Sequence, residues 1–158
     1  MLARRGRADW RMDEGPDNAI ATEPVLRRQD GVAVDAALSP SELALFDAVG
    51  QRRGFDAGER LFARGDNGRT MFVILEGRVE LDFGGDLARK SLGAGEFFGE
   101  LGLLVGDHVR SAGARVLAAA ELIELGDDEL ERLLDRDPRL VAQFLHRAIT
   151  RIVRNEQV

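Results

Sequence analysis

The chain has 158 residues, the usual size of one domain. It contains no cysteine and two histidines, His108 and His146, which excludes disulfides, thiolate zinc sites, iron–sulfur clusters and multi-histidine metal centres. A net charge of −6 argues against broad nucleic-acid binding. With no apolar run long enough to cross a bilayer and no secretory leader at its start, the chain is predicted to be cytoplasmic, without membrane insertion.

The first 35 residues differ from the rest. They hold six arginines and seven acidic residues without periodicity, so residues 1–35 are predicted to be a flexible N-terminal extension and residues 36–158 the domain. Ser39 and Pro40 then predict a helix start, with Glu42 completing a capping box. The apolar residues of this helix recur at helical spacing: Leu43, Phe46 and Val49.

The middle of the chain predicts short strands and tight turns, since fourteen of the 18 glycines lie between residues 50 and 113. Residues 71–75 form a continuous apolar run, which predicts a buried strand. Residues 78–83 alternate charged and apolar side chains, and Gly77 between them predicts a turn or bulge. A hairpin turn is predicted at residues 84–86, and one or two strands at residues 116–125.

The C-terminal part predicts two more helices. Asp127 or Asp128 can cap a short one, and Asp137 before Pro138 is typical of the start of a longer one. Arginines of the long helix are predicted to form a solvated face: Arg139, Arg147, Arg151 and Arg154. Its apolar residues are predicted to form core or a dimer seam: Leu145, Ile149 and Ile152. The predicted fold is mainly β, an antiparallel β-roll or jelly roll with an N-terminal helix and C-terminal helices.

The segment most suggestive of chemistry is residues 95–104, followed by residues 110–112. Glycines allow the backbone to turn before a short helix, whose first amides have no intrahelical partner and favour an anion. Arg110 offers a planar set of donors suited to phosphate, and Ser111 adds a hydroxyl. An acid beside an anion site fits a ligand with a hydroxyl to donate. Glu100 and Arg110 therefore indicate a sugar joined to a phosphate.

Each of these residues also has a simpler interpretation. Glu100 is the type of residue that caps a helix start, Arg110 the type that pairs with a surface acid, and Ser111 the type that serves turns and strand edges. His108 and His146 are interpreted as solvated surface residues. The pair Phe97 and Phe98 is interpreted as core packing.

In its order of motifs the sequence resembles the cyclic nucleotide-binding domain family, most closely its bacterial catabolite activator members. The likeness covers about residues 38–154. The matched segments are the helix at residues 39–49, a first β-hairpin at 58–66, a strand, turn and strand at 71–79, and the phosphate-binding cassette at 98–101 with 110–112. Several motifs in the correct order are far more specific than one short pattern.

The resemblance implies an eight-stranded antiparallel roll whose last helix moves on binding. It implies that Glu100 accepts from the ribose 2′-hydroxyl and that Arg110 pairs with the cyclic phosphate. The implied ligand-binding residues are Gly99, Glu100, Leu101, Arg110, Ser111 and Ala112. The Arg-Ser-Ala triplet favours cyclic AMP, although a hydroxyl after the arginine also suits guanine and therefore cyclic GMP. The base-contacting hydroxyl residues of the family match Asn155 and Glu156, which departs from the pattern.

Two functions follow as expectations. One is a regulatory sensor domain that binds cAMP or cGMP and signals to an unknown effector, with a possible homodimer through the last helix. The other is a structural module with an empty pocket that acts by protein–protein contact; the intact Glu100 and Arg110 favour the first. No DNA binding is expected, because the sequence stops at Val158, where the family's DNA-binding module would begin; the chain is either a stand-alone sensor or a fragment of a larger protein. No catalytic set of residues can be placed, so no enzyme is predicted.

Overall fold

The computed structural model describes residues 37–86, 89–105 and 108–154. The predicted extension at residues 1–35 lies outside the described residues, as do Asn155 and Glu156. The described helices are α1 (Pro40–Val49), α2 (Glu100–Leu104), α3 (Asp127–Arg136) and α4 (Pro138–Arg154). The described strands are β1 (Gln51–Phe55), β2 (Arg60–Phe62), β3 (Met71–Asp82), β4 (Arg89–Leu92), β5 (Phe97–Phe98) and β6 (Gly113–Leu125). None of these helices combines the length and the apolar character that a membrane span requires.

The six strands pair only in antiparallel fashion. β6 lies between β1 and β3, β4 follows β3 at the edge, β2 also pairs with β6, and β5 also pairs with β3. This sheet with flanking helices confirms the predicted fold class. The hairpin expected at residues 58–66 is wrong, because β2 finds its partner in β6, far along the chain. The segment predicted at residues 116–125 is one continuous strand that starts at Gly113.

Strand β3 is buried on both faces over its first half, which explains its continuous apolar run. Met71 and Val73 face a core that includes residues of the helices. Phe72 and Ile74 face a second core, formed mainly by side chains of the other strands. The predicted irregularity at Gly77 is confirmed by its φ of 97° and by register shifts on either side of it. A Cβ atom there would lie 2.4 Å from the Ala119 carbonyl oxygen, so the close approach of β6 requires glycine.

The helix starts follow the sequence signals closely. The Ser39 hydroxyl accepts from the Glu42 amide at 3.2 Å and the Glu42 carboxylate accepts from the Ser39 amide at 2.8 Å, so the predicted capping box is confirmed. Asp137 caps α4 by accepting from the Leu140 amide at 3.1 Å. The cap of α3 differs from the prediction: Gly126 occupies the cap position, and its amide donates to the Glu129 carboxylate.

Helix α4 packs on the sheet through a narrower stripe than the sequence suggested. Val141, Phe144 and Ala148 are fully buried, and the Phe144 ring meets Phe46 and Phe97 edge to face. Leu145 packs at the border of this core. Ile149 is exposed, and the structure says nothing of the Ile152 side chain.

The prediction of a solvated arginine face on α4 is wrong for two of its four members. Arg147 forms a two-pronged ion pair with Glu42 of α1, at 2.6 and 2.7 Å, and donates to the Ala37 carbonyl. Burial by itself would raise the pKa of Glu42, but the hydrogen bonds from Arg147 and Ser39 outweigh it and lower that pKa. Arg151 is also buried, and it donates to the Phe97 carbonyl.

Removing Arg147 should destabilise the domain strongly, because it leaves the fully buried Glu42 carboxylate without its charged partner. We expect Arg147→Ala to lower the free energy of unfolding by about 3 kcal/mol, the typical effect of breaking a buried pair. Arg139→Ala is the matched control, since Arg139 is exposed on the same helix. Chemical denaturation of both variants is the measurement; equal losses would contradict the importance of this contact.

Candidate functional site

The cassette segment is held by its buried aromatic start. Phe97 and Phe98 form β5 and point into the two different cores, as predicted for core residues. Gly99 follows with a φ of 79°, a left-handed conformation that glycine adopts without strain. The chain then enters α2, so that Glu100 begins a helix directly after the turn, and its side chain is buried.

Arg110 is placed by a backbone clasp between two loops. Its amide donates to the Asp66 carbonyl at 2.7 Å, and its carbonyl accepts from the Gly65 amide at 2.9 Å. The Gly68 amide donates to the His108 carbonyl at 3.1 Å, which extends the same ladder. These bonds fix the backbone from which the arginine reaches the cassette.

Arg110 is only 6% exposed, yet its guanidinium forms no ion pair with any described carboxylate. Its Nη1 donates to the Gly99 carbonyl at 3.1 Å and its Nη2 to the Thr70 carbonyl at 2.9 Å. Its Cζ lies 4.2 Å from the centre of the Phe62 ring, a cation–π distance. Its Nε is buried without a hydrogen-bond partner. Burial lowers the pKa of Arg110, against the attraction of Glu124, Asp66 and Glu100.

Three glycines make the space that this guanidinium occupies. A Cβ atom would lie 2.1 Å from the Arg110 Nε if placed on Gly68, and 2.9 or 2.8 Å from its Nη1 if placed on Gly99 or Gly102. Any larger residue at these positions would push the side chain away. The glycines therefore shape a cavity for one positive charge, a role that their positions in the sequence did not reveal.

Sequence reasoning missed Arg151, which reaches the site from α4. Its Nη1 lies 3.5 Å from the Glu100 Oε2 and donates to the Phe97 carbonyl at 3.1 Å. Its Cζ stands 5.0 Å from the centre of the Phe97 ring. The signal that could have found it is its spacing of four residues from Arg147, which places both on one helical face.

The remaining predicted residues lie around this centre. Leu101 is half-buried, Ala112 is buried in the second core, and Ser111 is exposed. His108 is half-buried rather than solvated, and both burial and Arg110 lower its pKa. Burial and Arg151 also lower the pKa of Lys90. The described residues contain no group of acids and histidines arranged to hold a metal ion.

A buried acid, a buried arginine and a glycine turn before a short helix stand together on an antiparallel roll. The family model for the cyclic nucleotide-binding domain matches residues 52–137 of this chain. The chain therefore belongs to the cyclic nucleotide-binding domain family.

Two curated relatives match only in part of their length. The chain is 35% identical over 121 residues to the "Cyclic AMP receptor protein" of Thermus thermophilus, covering 74% of this chain and 55% of that protein. It is 33% identical over 109 residues to the "Putative potassium channel protein RPA4233" of Rhodopseudomonas palustris, covering 68% of this chain and 26% of that protein. The chain thus spans about half of the first protein and a quarter of the second.

A solved structure gives a fuller match. It is described by the words "A cyclic-GMP-dependent signalling pathway regulates bacterial phytopathogenesis". It is 52% identical to this chain, with a TM-score of 0.73, and the match covers 75% of this chain and 97% of that one. The match therefore includes almost the whole of that solved chain.

Glu96 is an ionisable group beside the cassette with an unusual environment. It is half-buried in the turn before β5, where its carboxylate accepts from the Gly93 amide. Burial raises the pKa of Glu96 to about 7, although the Gly93 hydrogen bond and the charges of Arg78 and Arg151 oppose the shift. At pH values between the usual pKa of a glutamate and about 7, Glu96 thus keeps a proton in the folded protein that it has lost in the unfolded chain.

This proton makes the stability of the domain depend on pH. Since the folded state binds more protons, the unfolding free energy should fall as the pH rises toward 7. The loss should be about 1–3 kcal/mol relative to Glu96→Gln, which keeps the acceptor oxygen but does not titrate. Chemical denaturation of both proteins between about pH 5.5 and 7.5 is the measurement. A constant difference between them would contradict the raised pKa.

Proposed function

We propose that this domain binds a cyclic mononucleotide, with Arg110 as the partner of the cyclic phosphate. The observation that carries the proposal is the buried guanidinium that forms no ion pair with a described carboxylate. A buried charge is costly unless it is paired, and a phosphate would supply both the opposite charge and an acceptor for the unpartnered Nε. Such an arrangement favours ligand binding over a structural module with an empty pocket.

The proposed ribose partner is Glu100. Its carboxylate is buried beside Arg110 and is attracted to it, and an ionised carboxylate can only accept hydrogen bonds. A ligand there must therefore offer a donor, and the ribose 2′-hydroxyl is one. Gly99, Leu101, Ser111 and Ala112 complete the proposed site as residues that border these two charges.

We propose cyclic GMP as the preferred ligand. The Arg-Ser-Ala triplet favoured cyclic AMP, and the relative at 35% identity is named a cyclic AMP receptor protein. The structure at 52% identity is instead described with cyclic-GMP-dependent signalling, and its match extends over nearly its whole chain. The higher identity over the binding fold supports cyclic GMP, and Ser111 supplies a hydroxyl compatible with guanine.

The proposed output element is α4. Arg151 links it to the cassette through Glu100 and the Phe97 carbonyl, so a ligand that engages Glu100 competes with the contact that holds the helix. A ligand shifts a conformation only through such differential contacts. Ile149 and Val153 remain exposed on α4, which supports a homodimer seam that light scattering can test.

Calorimetry with both cyclic nucleotides tests the phosphate anchor and the choice of base together. Cyclic GMP should bind the wild type more tightly than cyclic AMP. Arg110→Ala should weaken binding by roughly 30-fold or more, since removing one partner of a desolvated charge pair costs ~2–5 kcal/mol. Gly68→Ala should weaken it too, because the new Cβ displaces the guanidinium.

Arg132→Ala is the control for this experiment, since Arg132 is an exposed arginine on α3. It should bind like the wild type. If folded Arg110→Ala also binds like the wild type, Arg110 is not the anchor. If neither nucleotide binds the wild type, the structural module is the better interpretation.

Hydrogen exchange tests the role of α4. Adding the nucleotide should change amide protection in residues 139–154 more than in β3, because α4, unlike β3, supplies a side chain to the Glu100–Arg151 contact. In Arg151→Gln this difference should shrink, because the charged link is lost. Equal and unchanged protection in both regions would mean that α4 is static packing. Deletion of α4 is a poorer test, because the helix supplies Phe144 and its neighbours to the core.

A further inference from the structure

A second concave surface lies on the outer face of the sheet. It is a cleft of about 330 Å³, at the low end of the size range of small-molecule sites. Strands β2, β3, β4 and β6 contribute to it, together with the loops after β2 and β3. Its charged lining residues are Arg60, Arg64, Arg89, Arg115, Glu80 and Asp82.

The hollow exists because one position on this face has no side chain. Gly113 and Arg115 alternate on β6 and therefore point to the same face of the sheet. Gly113 pairs with Asp82 of β3, which in turn pairs with Arg89 of β4. A Cβ atom on Gly113 would lie 3.6 Å from the Arg64 amide nitrogen and 3.7 Å from the Phe62 carbonyl oxygen, so the glycine leaves the backbone of β2 and its loop open at the bottom of the cleft.

The cleft carries more positive charge than its own acids balance. Arg115 pairs with Glu80 at 3.2 Å, and Arg89 lies 3.5 Å from Asp82. Arg60 and Arg64 form no ion pair within the described parts of the chain. Four arginines against two carboxylates leave a surplus of two positive charges in a chain whose net charge is −6.

The register of the β2–β6 pair places two of these positive charges opposite each other. Arg60 lies directly opposite Arg115 in the antiparallel pair of β2 and β6. Like charges in that position destabilise a sheet, and Glu80 on the far side of Arg115 offsets only one of them. An anion seated between the two arginines would remove the repulsion. Since guanidinium groups match phosphate oxygens in a forked geometry, phosphate is the anion that this set of donors suits best.

We propose that this arginine cleft binds the phosphate group of a small molecule, at a site separate from Glu100 and Arg110. Arg60 and Arg64 supply the free donors, while the carboxylates hold Arg89 and Arg115 at the rim. The two sites adjoin, because Phe62 lines the cleft and its ring also carries the Arg110 guanidinium. An experiment must therefore separate phosphate bound in the cleft from phosphate bound at Arg110.

Calorimetric titration with pyrophosphate at low ionic strength provides that separation. Arg110→Ala should retain binding of pyrophosphate, because the cleft arginines are intact. The double variant Arg60→Gln/Arg64→Gln, in the Arg110→Ala background, should weaken it at least about tenfold. Arg132→Gln/Arg139→Gln in the same background is the matched control: it removes the same charge from exposed positions on α3 and α4 and should change binding less than twofold.

The outcomes are distinct from those of the cyclic nucleotide experiment. Loss of all pyrophosphate binding in Arg110→Ala alone would overturn the second site, as would equal weakening in the two double variants, which indicates non-specific charge attraction. Tighter binding of an acidic peptide than of pyrophosphate, lost in Arg60→Gln/Arg64→Gln, would replace the proposal by a protein docking surface. Melting temperatures check that each variant is folded; the buried Arg110→Ala background is common to both double variants, and the four further arginines are exposed.

Discussion

Arg110 is a buried cation surrounded by carbonyl oxygens and an aromatic ring rather than by a carboxylate. Burying such a group is costly unless its donors find acceptors; here that takes small residues on the side of the guanidinium that faces the cassette and a close approach of the surrounding backbone. Gly68, Gly99 and Gly102 meet the first condition, and the clasp between residues 65–68 and 108–110 meets the second. The glycine-rich loops of the domain are thus arranged around one charge. The buried strands beneath them provide the rigid support on which that arrangement depends.

Helix α4 connects this centre to the rest of the domain through two arginines one turn apart. Arg147 binds Glu42 of α1 and Arg151 approaches Glu100 of the cassette. The two contacts differ in quality, since the first is short and two-pronged and the second is a single 3.5 Å approach. Near the candidate site the helix is also held by the Arg151 hydrogen bond to the Phe97 carbonyl, so the long Glu100 approach is the part of this attachment that a ligand at Glu100 can change most easily.

Local signals in the sequence predicted most of the fold. Ser39 and Glu42 predicted the start of α1, and Asp137 predicted the start of α4. Gly77 predicted the irregularity in β3. These features depend on residues close in the sequence. The partner of β2 could not be predicted in this way, because it lies more than fifty residues further along in β6.

In the candidate site, too, the residues close in the sequence could be predicted and the distant ones could not. Glu100 and Arg110 could be chosen because their chemistry and short spacing are visible in the sequence. Arg151 was assigned to a solvated face, since nothing near it in the sequence indicates that α4 folds back over the cassette. The glycine lining of Arg110 and the excess of arginine in the outer cleft became visible only when distant segments were placed side by side.

Glu42 has a consequence that extends beyond its own helix. One carboxylate closes the capping box with the Ser39 amide and also holds Arg147, and Arg147 donates to the Ala37 carbonyl. The beginning of α1, the chain just before it and the docking of α4 therefore form one cooperative unit. A displacement of α4 that loosens Arg147 would weaken the first turn of α1 at the same time. A change at α4 should therefore reach the first turn of α1 and the Ala37 carbonyl as well as the cassette.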